Sequence, residues 1–212
     1  MAILRIAQLG HPVLRMVARP VTLDEIRSPA FQQLCDDMLE TLDDYDGAGL
    51  AAPQVHVPIR LVVATLNSEV GPEFFVNPKI IPNGTTTART WEGCLSVEGL
   101  RGLVERPDRV RVEAFDRDGS AKVYELEGHP AVVIQHECDH LDGVVYVDKV
   151  LPKSLMFLRE FRRFRDLEDD DEEVSDDAPA AASVGESLAD FDDDVYGELT
   201  SEEFQGHKPG SL

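Results

Sequence analysis

His136, Glu137 and His140 stand in the stretch Gln135-His136-Glu137-Cys138-Asp139-His140, which reads H-E-x-x-H. On an α-helix, positions i and i+4 share a face, so both imidazoles can grip one metal ion from the same side. Glu137, beside the first imidazole, is placed to handle a proton, and the set is one that metal hydrolases use. Such a site needs a third protein ligand and an open position. Downstream, the spacing follows the metzincin pattern as far as Gly143, but Tyr146 stands where that pattern needs its third histidine. Glu160 is one alternative, on a basic helical stretch. Cys94 is the better candidate, because a thiolate binds borderline metals well. Taken alone, Cys94 reads equally as a small buried hydrophobe. Gln54 follows the small apolar run Leu50-Ala51-Ala52-Pro53 and offers a neutral amide that can aim donors into a site.

Several elements must position these residues. Residues 3–23 carry scattered apolar positions and two prolines and read as an extended arm. Ser28-Pro29 is an N-cap followed by proline at the first helical position. Phe31, Leu34, Cys35, Met38, Leu39, Leu42 and Tyr45 then recur at helical spacing, an amphipathic helix with Cys35 on its core side. Gly47-Ala48-Gly49 breaks it. Residues 59–66 read as a buried strand. Phe74–Val76 and Lys79–Ile81 read as two short strands split by Asn77-Pro78, with Cys94 in a later loop. Val104 to Glu127 reads as a run of strands, with Asp118-Gly119 as a hairpin signal. His129-Pro130 opens a helix that Ala131–Ile134 makes too apolar for the surface, and Gly143 closes it in a left-handed cap. Val144–Val147 reads as a strand. From Lys153 a stripe of Leu155, Leu158, Phe161 and Phe164 marks a last helix, whose other faces carry Arg159, Arg162, Arg163 and Arg165. The expected fold is α+β: antiparallel β-sheets packed around a buried central H-E-x-x-H helix, a C-terminal helix, and a disordered acidic tail.

Charge separates the tail from the rest. The chain has 212 residues and a formal charge of −21, but residues 168–212 hold 16 acidic residues and one basic. The other 167 residues hold 25 acidic and 19 basic ones, so bulk charge gives no reason to expect nucleic-acid binding. The expected organisation is a catalytic domain over 1–167 and a disordered tail over 168–212. Three cysteines (Cys35, Cys94 and Cys138) argue against a disulfide scaffold. The N-terminal residues do not form a secretory signal, and no apolar run reaches the ~20 residues of a membrane span. A cytoplasmic protein with no membrane contact is expected.

Three stretches together resemble the peptide deformylases: Gly47 to Gln54 (G-x-G-x-A-A-x-Q), Glu92 to Ser96 (E-G-C-x-S), and His136 to His140. The resemblance covers about residues 3–167, and Arg101, Gly102 and Arg106-Pro107 fit the segment after the cysteine motif. Glu98 departs from it, standing where many members have proline. The resemblance implies a metal-dependent hydrolase of protein biosynthesis that removes the formyl group from N-terminal formyl-methionine and releases formate. It implies Cys94, His136 and His140 as metal ligands, Glu137 as the proton carrier, and the Gln54 amide with the Leu95 N–H as oxyanion donors. The expected substrate-binding residues are Gly47, Ala48, Gly49, Glu92, Arg101, Val132 and Val133. One divalent ion is expected, Fe2+ in the cell, with Zn2+, Ni2+ or Co2+ as substitutes. Expected partners are nascent formyl-Met polypeptides and, through the C-terminal helix, the ribosome; the chain is expected to be a monomer.

Two other readings stand beside this one. A metal-dependent peptidase would need a third ligand other than Cys94 and a longer cleft. A non-catalytic protein with a structural metal would need neither Glu137 nor Gln54.

Overall fold

The computed structural model describes residues 2–67 and 69–164. The expected tail 168–212, and with it the boundary at 167, lies outside the described residues. Among the described residues there are four α-helices: α1 (Leu23–Ile26), α2 (Pro29–Asp44), α3 (His129–Leu141) and α4 (Leu158–Phe164). The strands are β1 (Gly49–Ala51), β2 (Leu61–Asn67), β3 (Gly71–Pro82), β4 (Thr87–Cys94), β5 (Val97–Pro107), β6 (Arg109–Phe115), β7 (Ala121–Glu127) and β8 (Met156–Phe157). Five of them form one sheet in the order β1-β2-β3-β6-β7, and three form a second in the order β4-β5-β8. Every pairing between named strands is antiparallel.

The five-stranded sheet is covered on both faces, which explains the unbroken apolar run of β2. Leu61 and Val63 pack with Phe31, Cys35, Met38 and Leu42 of α2. Val62 and Ala64 point the other way, into a cluster with Ala131, Val133, Ile134 and Leu141 of α3. A strand buried on both faces needs no polar alternation. Each such fully buried branched side chain contributes about 2 kcal/mol by removal from water. The third cluster joins Val97 and Val104 of β5 to Leu14, Val145 and Tyr146.

Local signals set the helix ends. The Ser28 hydroxyl accepts a hydrogen bond from the Phe31 N–H at 3.2 Å, starting α2. α3 begins after Gly128 and ends before Gly143, whose φ is +74°. A side chain at Gly143 would also meet the Arg15 backbone at 2.9 Å, so the cap fixes where the helix leaves the core. Gln135 donates to the Pro107 carbonyl at 2.9 Å, pinning α3 to the end of β5.

Four expectations are corrected. The arm at 3–23 contains a 3₁₀ turn at Pro12–Arg15 and the start of α1, which is capped reciprocally by Thr22 and Glu25. Asn77-Pro78 does not split two strands: β3 runs through it with a bulge, Asn77 taking φ +52°. The Asn77 side chain stabilises that bulge by bonding the Val21 N–H at 2.9 Å and the Val21 carbonyl at 2.7 Å. Val144–Val147 is no strand but leads into a 3₁₀ turn at Tyr146–Asp148, because the Asp148 carboxylate accepts from the Val145 N–H at 2.9 Å and closes the chain on itself. The last helix starts at Leu158, not near Lys153, because Met156–Phe157 first pairs with Leu100–Arg101 as β8.

Candidate active site

Cys94 ends β4, directly before the turn into β5, so it is held by a hairpin and not by a free loop. Its Sγ lies 3.2 Å from His140 Nε2. The ligating atoms of Cys94, His136 and His140 all lie within 4.8 Å of one another. Sulfur and nitrogen ligands of one tetrahedral ion, bonded at ~2.3 and ~2.0 Å, stand roughly 3.5 Å apart, so this spacing suits a single divalent ion. The donor set, one thiolate and two imidazoles, suits Fe2+, Zn2+, Ni2+ and Co2+. Glu160 sits on α4 and is not part of the cluster.

His136 is oriented from behind. Its Nδ1 is 2.7 Å from Glu92 Oε2, which leaves Nε2 for the centre. Glu92 in turn receives Arg106 Nε at 2.5 Å and Nη2 at 3.0 Å. The sequence assigns Glu92 to the substrate; Glu92 lines the cleft, and its carboxylate is bonded by His136 and Arg106. All three side chains are buried. Although burial opposes both charges, these hydrogen bonds hold the Glu92 carboxyl below the usual carboxylate range. Burial likewise pulls His136 down, but hydrogen bonds to Cys94 and Glu92 outweigh it and raise its basicity. Tyr146, the residue that breaks the metzincin pattern, stacks its ring on His136 with centroids 5.9 Å apart.

Around the cluster, Glu137 Oε2, the second ring nitrogen of His140 (Nδ1) and the Tyr146 hydroxyl are buried with no hydrogen-bond partner among the described residues. Burial pushes the Glu137 carboxyl up to about 7 and holds His140 well below its ordinary value. A buried carboxylate oxygen without a partner is costly unless a ligand or water completes it. Gln54 is also buried. Its Oε1 accepts from the Ala51 N–H at 2.7 Å, which fixes the amide so that Nε2 faces Cys94 Sγ at 3.5 Å and Ser96 Oγ at 3.3 Å.

These groups open on a cleft of about 370 Å³. Gly47, Ala48, Gly49, Glu92, Leu95 and Arg101 line it, with Cys94 among them. Val132 and Val133 of α3 line it beside His136 and Glu137. His140 does not line the cleft, and its Nε2 meets the Cys94 Sγ beneath it. β1 is the end strand of the five-stranded sheet, and its first residue borders the cleft. The Arg101 guanidinium lies against Gly93, where an added Cβ would fall 2.0 Å from Nη1. Trp91, His129 and Leu158 also line the cleft and were not singled out from sequence. The role of Arg106 was missed as well; a lone arginine in a strand carries no sign of its partner on another element. Cys35 and Cys138 are buried away from the cluster, and burial raises both thiols, Cys35 to about 12.

Comparison with known proteins gives concordant findings. The family model described as polypeptide deformylase matches residues 3–155. The peptide deformylase of Leptospira biflexa is 41% identical over 164 residues, covering 73% of this chain and 92% of that protein. That of Pseudomonas aeruginosa is 46% identical over 149 residues, covering 70% and 87%. Among solved structures, the peptide deformylase of Thermotoga maritima superposes with a TM-score of 0.68 at 38% identity, covering 72% of this chain and 100% of that one. A class I type b peptide deformylase from Acinetobacter baumannii, bound to Met-Ala-Ser, gives 0.66 at 33% identity, covering 70% and 99%.

Proposed function

The chain belongs to the polypeptide deformylase family, and from that membership we propose how its own residues divide the work. The protein is a hydrolase of protein biosynthesis that removes the formyl group from the N-terminus of new polypeptides. Cys94, His136 and His140 hold one divalent ion. When bound, that ion supplies Lewis acidity, making water nucleophilic near neutral pH and polarising the formyl oxygen. Glu137 accepts the proton that the attacking water gives up. The water oxygen adds to the formyl carbon, the C–N bond breaks, and Glu137 returns the proton to the departing amine, leaving formate and a free N-terminus. The Gln54 amide and the Leu95 N–H donate to the formyl oxygen as it gains negative charge.

The methionine side chain packs against Val132 and Val133. The peptide backbone lies along Gly47, Ala48 and Gly49, adding a strand at the edge that β1 offers, with Arg101 across the cleft. The observation that carries this reading is the unpartnered, buried Glu137 oxygen beside the Cys94–His136–His140 cluster, inside a cleft bordered by an edge strand. The test is anaerobic purification, metal analysis, and assay of formate release from a formyl-Met peptide. One ion per chain and formate production are expected. Cleavage of an internal peptide bond without formate would refute the assignment and favour the peptidase reading.

Finer features belong to the same proposal. The ion in the cell is Fe2+, a choice to be checked by metal analysis of anaerobically purified protein. α3 is the centre about which the two sheets are arranged. The catalytic domain ends near residue 167, where the sequence turns acidic. No helix among the described residues is long and apolar enough to cross a membrane. The protein works as a monomer in the cytoplasm. α4 exposes Arg159, Arg162 and Arg163, and these arginines meet ribosomal RNA. Ending the chain after Leu167 removes 16 acidic residues and should strengthen ribosome binding at low salt; unchanged binding would count against that contact.

A further inference from the structure

Four side chains around the candidate metal centre close a ring. His136 Nδ1 meets Glu92 Oε2 at 2.7 Å, and Glu92 holds Arg106 through Nε and Nη2. The remaining Arg106 nitrogen, Nη1, donates to Asp139 Oδ2 at 2.8 Å. Asp139 lies three residues beyond His136 on α3, so the helix backbone completes the ring. From outside, Lys149 Nζ donates to Asp139 Oδ1 at 2.6 Å. The side chains of Arg106 and Glu92 are 3% and 4% exposed and that of Asp139 is 16% exposed, so little water competes for these bonds.

Local rules do not favour aspartate here. Asp139 is in the last turn of α3, where a carboxylate faces the negative end of the helix dipole, an unfavourable placement. Its side chain caps nothing; the N–H groups of Asp142 and Val144 bond to its backbone carbonyl. Two cations, Arg106 and Lys149, offset the placement.

The elements joined by the ring show what it does. Glu92 is on β4, two residues before Cys94; Arg106 is on β5; His136, Asp139 and His140 are on α3. The Glu92–His136 and Gln135–Pro107 bonds fasten the β4–β5 hairpin to the middle of α3. The Arg106–Asp139 bond adds a further point nearly one turn along the same helix, next to His140, and limits rotation about the other two. What becomes fixed is the position of Cys94 relative to the two histidines.

We propose that Asp139 is a positioning residue for the Cys94–His136–His140 centre, acting through Arg106 and Glu92 and itself held by Lys149. The inference rests on the metal-site reading given above. It is tested in the full-length protein with Co2+, whose visible absorption reports ligand geometry. Co2+ affinity by chelator competition, the Co2+ spectrum, kcat, KM and the Tm of the metal-free protein are compared for Asp139→Ala, Asp139→Asn and Lys149→Met. Asp139→Ala should bind Co2+ about tenfold more weakly, as expected for loss of a group behind a ligand. Its Co2+ spectrum should shift, and kcat should fall with KM unchanged. Asp139→Asn keeps an oxygen for Arg106 and should recover most of the loss, with Lys149→Met showing a smaller loss of the same kind. Wild-type Co2+ affinity and spectrum in Asp139→Ala, or in Asp139→Asn and Lys149→Met together if the alanine variant does not fold, would overturn the proposal. A lowered Tm with unchanged Co2+ affinity would overturn it equally. Cys94→Ala separates the two levels: Co2+ binding undiminished in that variant would refute the metal site itself, whatever the Asp139 variants do.

Discussion

Gly49 lies so close to Glu137 that a methyl group at its Cα would stand 2.7 Å from both the Cγ and the Oε1 of that side chain. The start of the edge strand is thus packed directly on the proposed proton carrier, and glycine alone leaves the space. Gly49→Ala must displace the Glu137 carboxylate or the strand. Misplacing a reacting group by 1 Å can cost on the order of a hundredfold in rate, so kcat should fall by about ten- to a hundredfold. Metal content, set by other residues, should stay at the wild-type level. Steady-state kinetics with parallel metal analysis checks this; unchanged kcat would mean that the contact does not position Glu137.

Gln54 is fixed by its own oxygen on the Ala51 N–H, so its amide donor is aimed before substrate arrives. Gln54→Ala removes that donor. Loss of one oxyanion donor typically lowers kcat by about 10²–10³-fold, and that is the expected range here. KM should change far less. A defect confined to KM would assign Gln54 to ground-state binding.

Cys94 and Cys35 have different surroundings and should respond differently. Cys94→Ala should lose the bound ion and all activity. Cys35 lies in the apolar core beneath α2 and is not part of the ligand cluster. Cys35→Ala should keep the ion and lose about 1 kcal/mol of stability, as is typical of a small core truncation. Metal analysis and thermal unfolding of both variants decide this. Equal metal content in the two would remove Cys94 from the ligand set.

What could be read from the sequence depended on how far apart the cooperating residues lie. Ser28-Pro29 and Gly143 mark helix ends through bonds within a few residues, so they are visible in a linear string. His136 and His140 are visible for the same reason, since one helical turn brings them together. The role of Glu92 is not visible, because its partners His136 and Arg106 are 44 and 14 residues away. From sequence Glu92 therefore reads as a substrate contact, with no sign that its carboxylate also meets His136 and Arg106. Val144–Val147 misled in another way. Its residues favour strands, but Asp148 turns the chain and buries Tyr146 against His136, so tertiary packing overrode propensity. At Asn77 the apparent strand break is a bulge held by Val21, 56 residues away, which no local pattern encodes.

The central claim is that Glu137 carries the proton while Cys94, His136 and His140 hold the ion. The most direct measurement compares formate release from a formyl-Met peptide by wild-type and Glu137→Gln protein, each with its metal content determined. General acid–base groups contribute about 10²–10⁴-fold. Glu137→Gln should therefore release formate at least about a hundredfold more slowly while still holding one ion per chain. Wild-type formate release by metal-loaded Glu137→Gln would contradict the account.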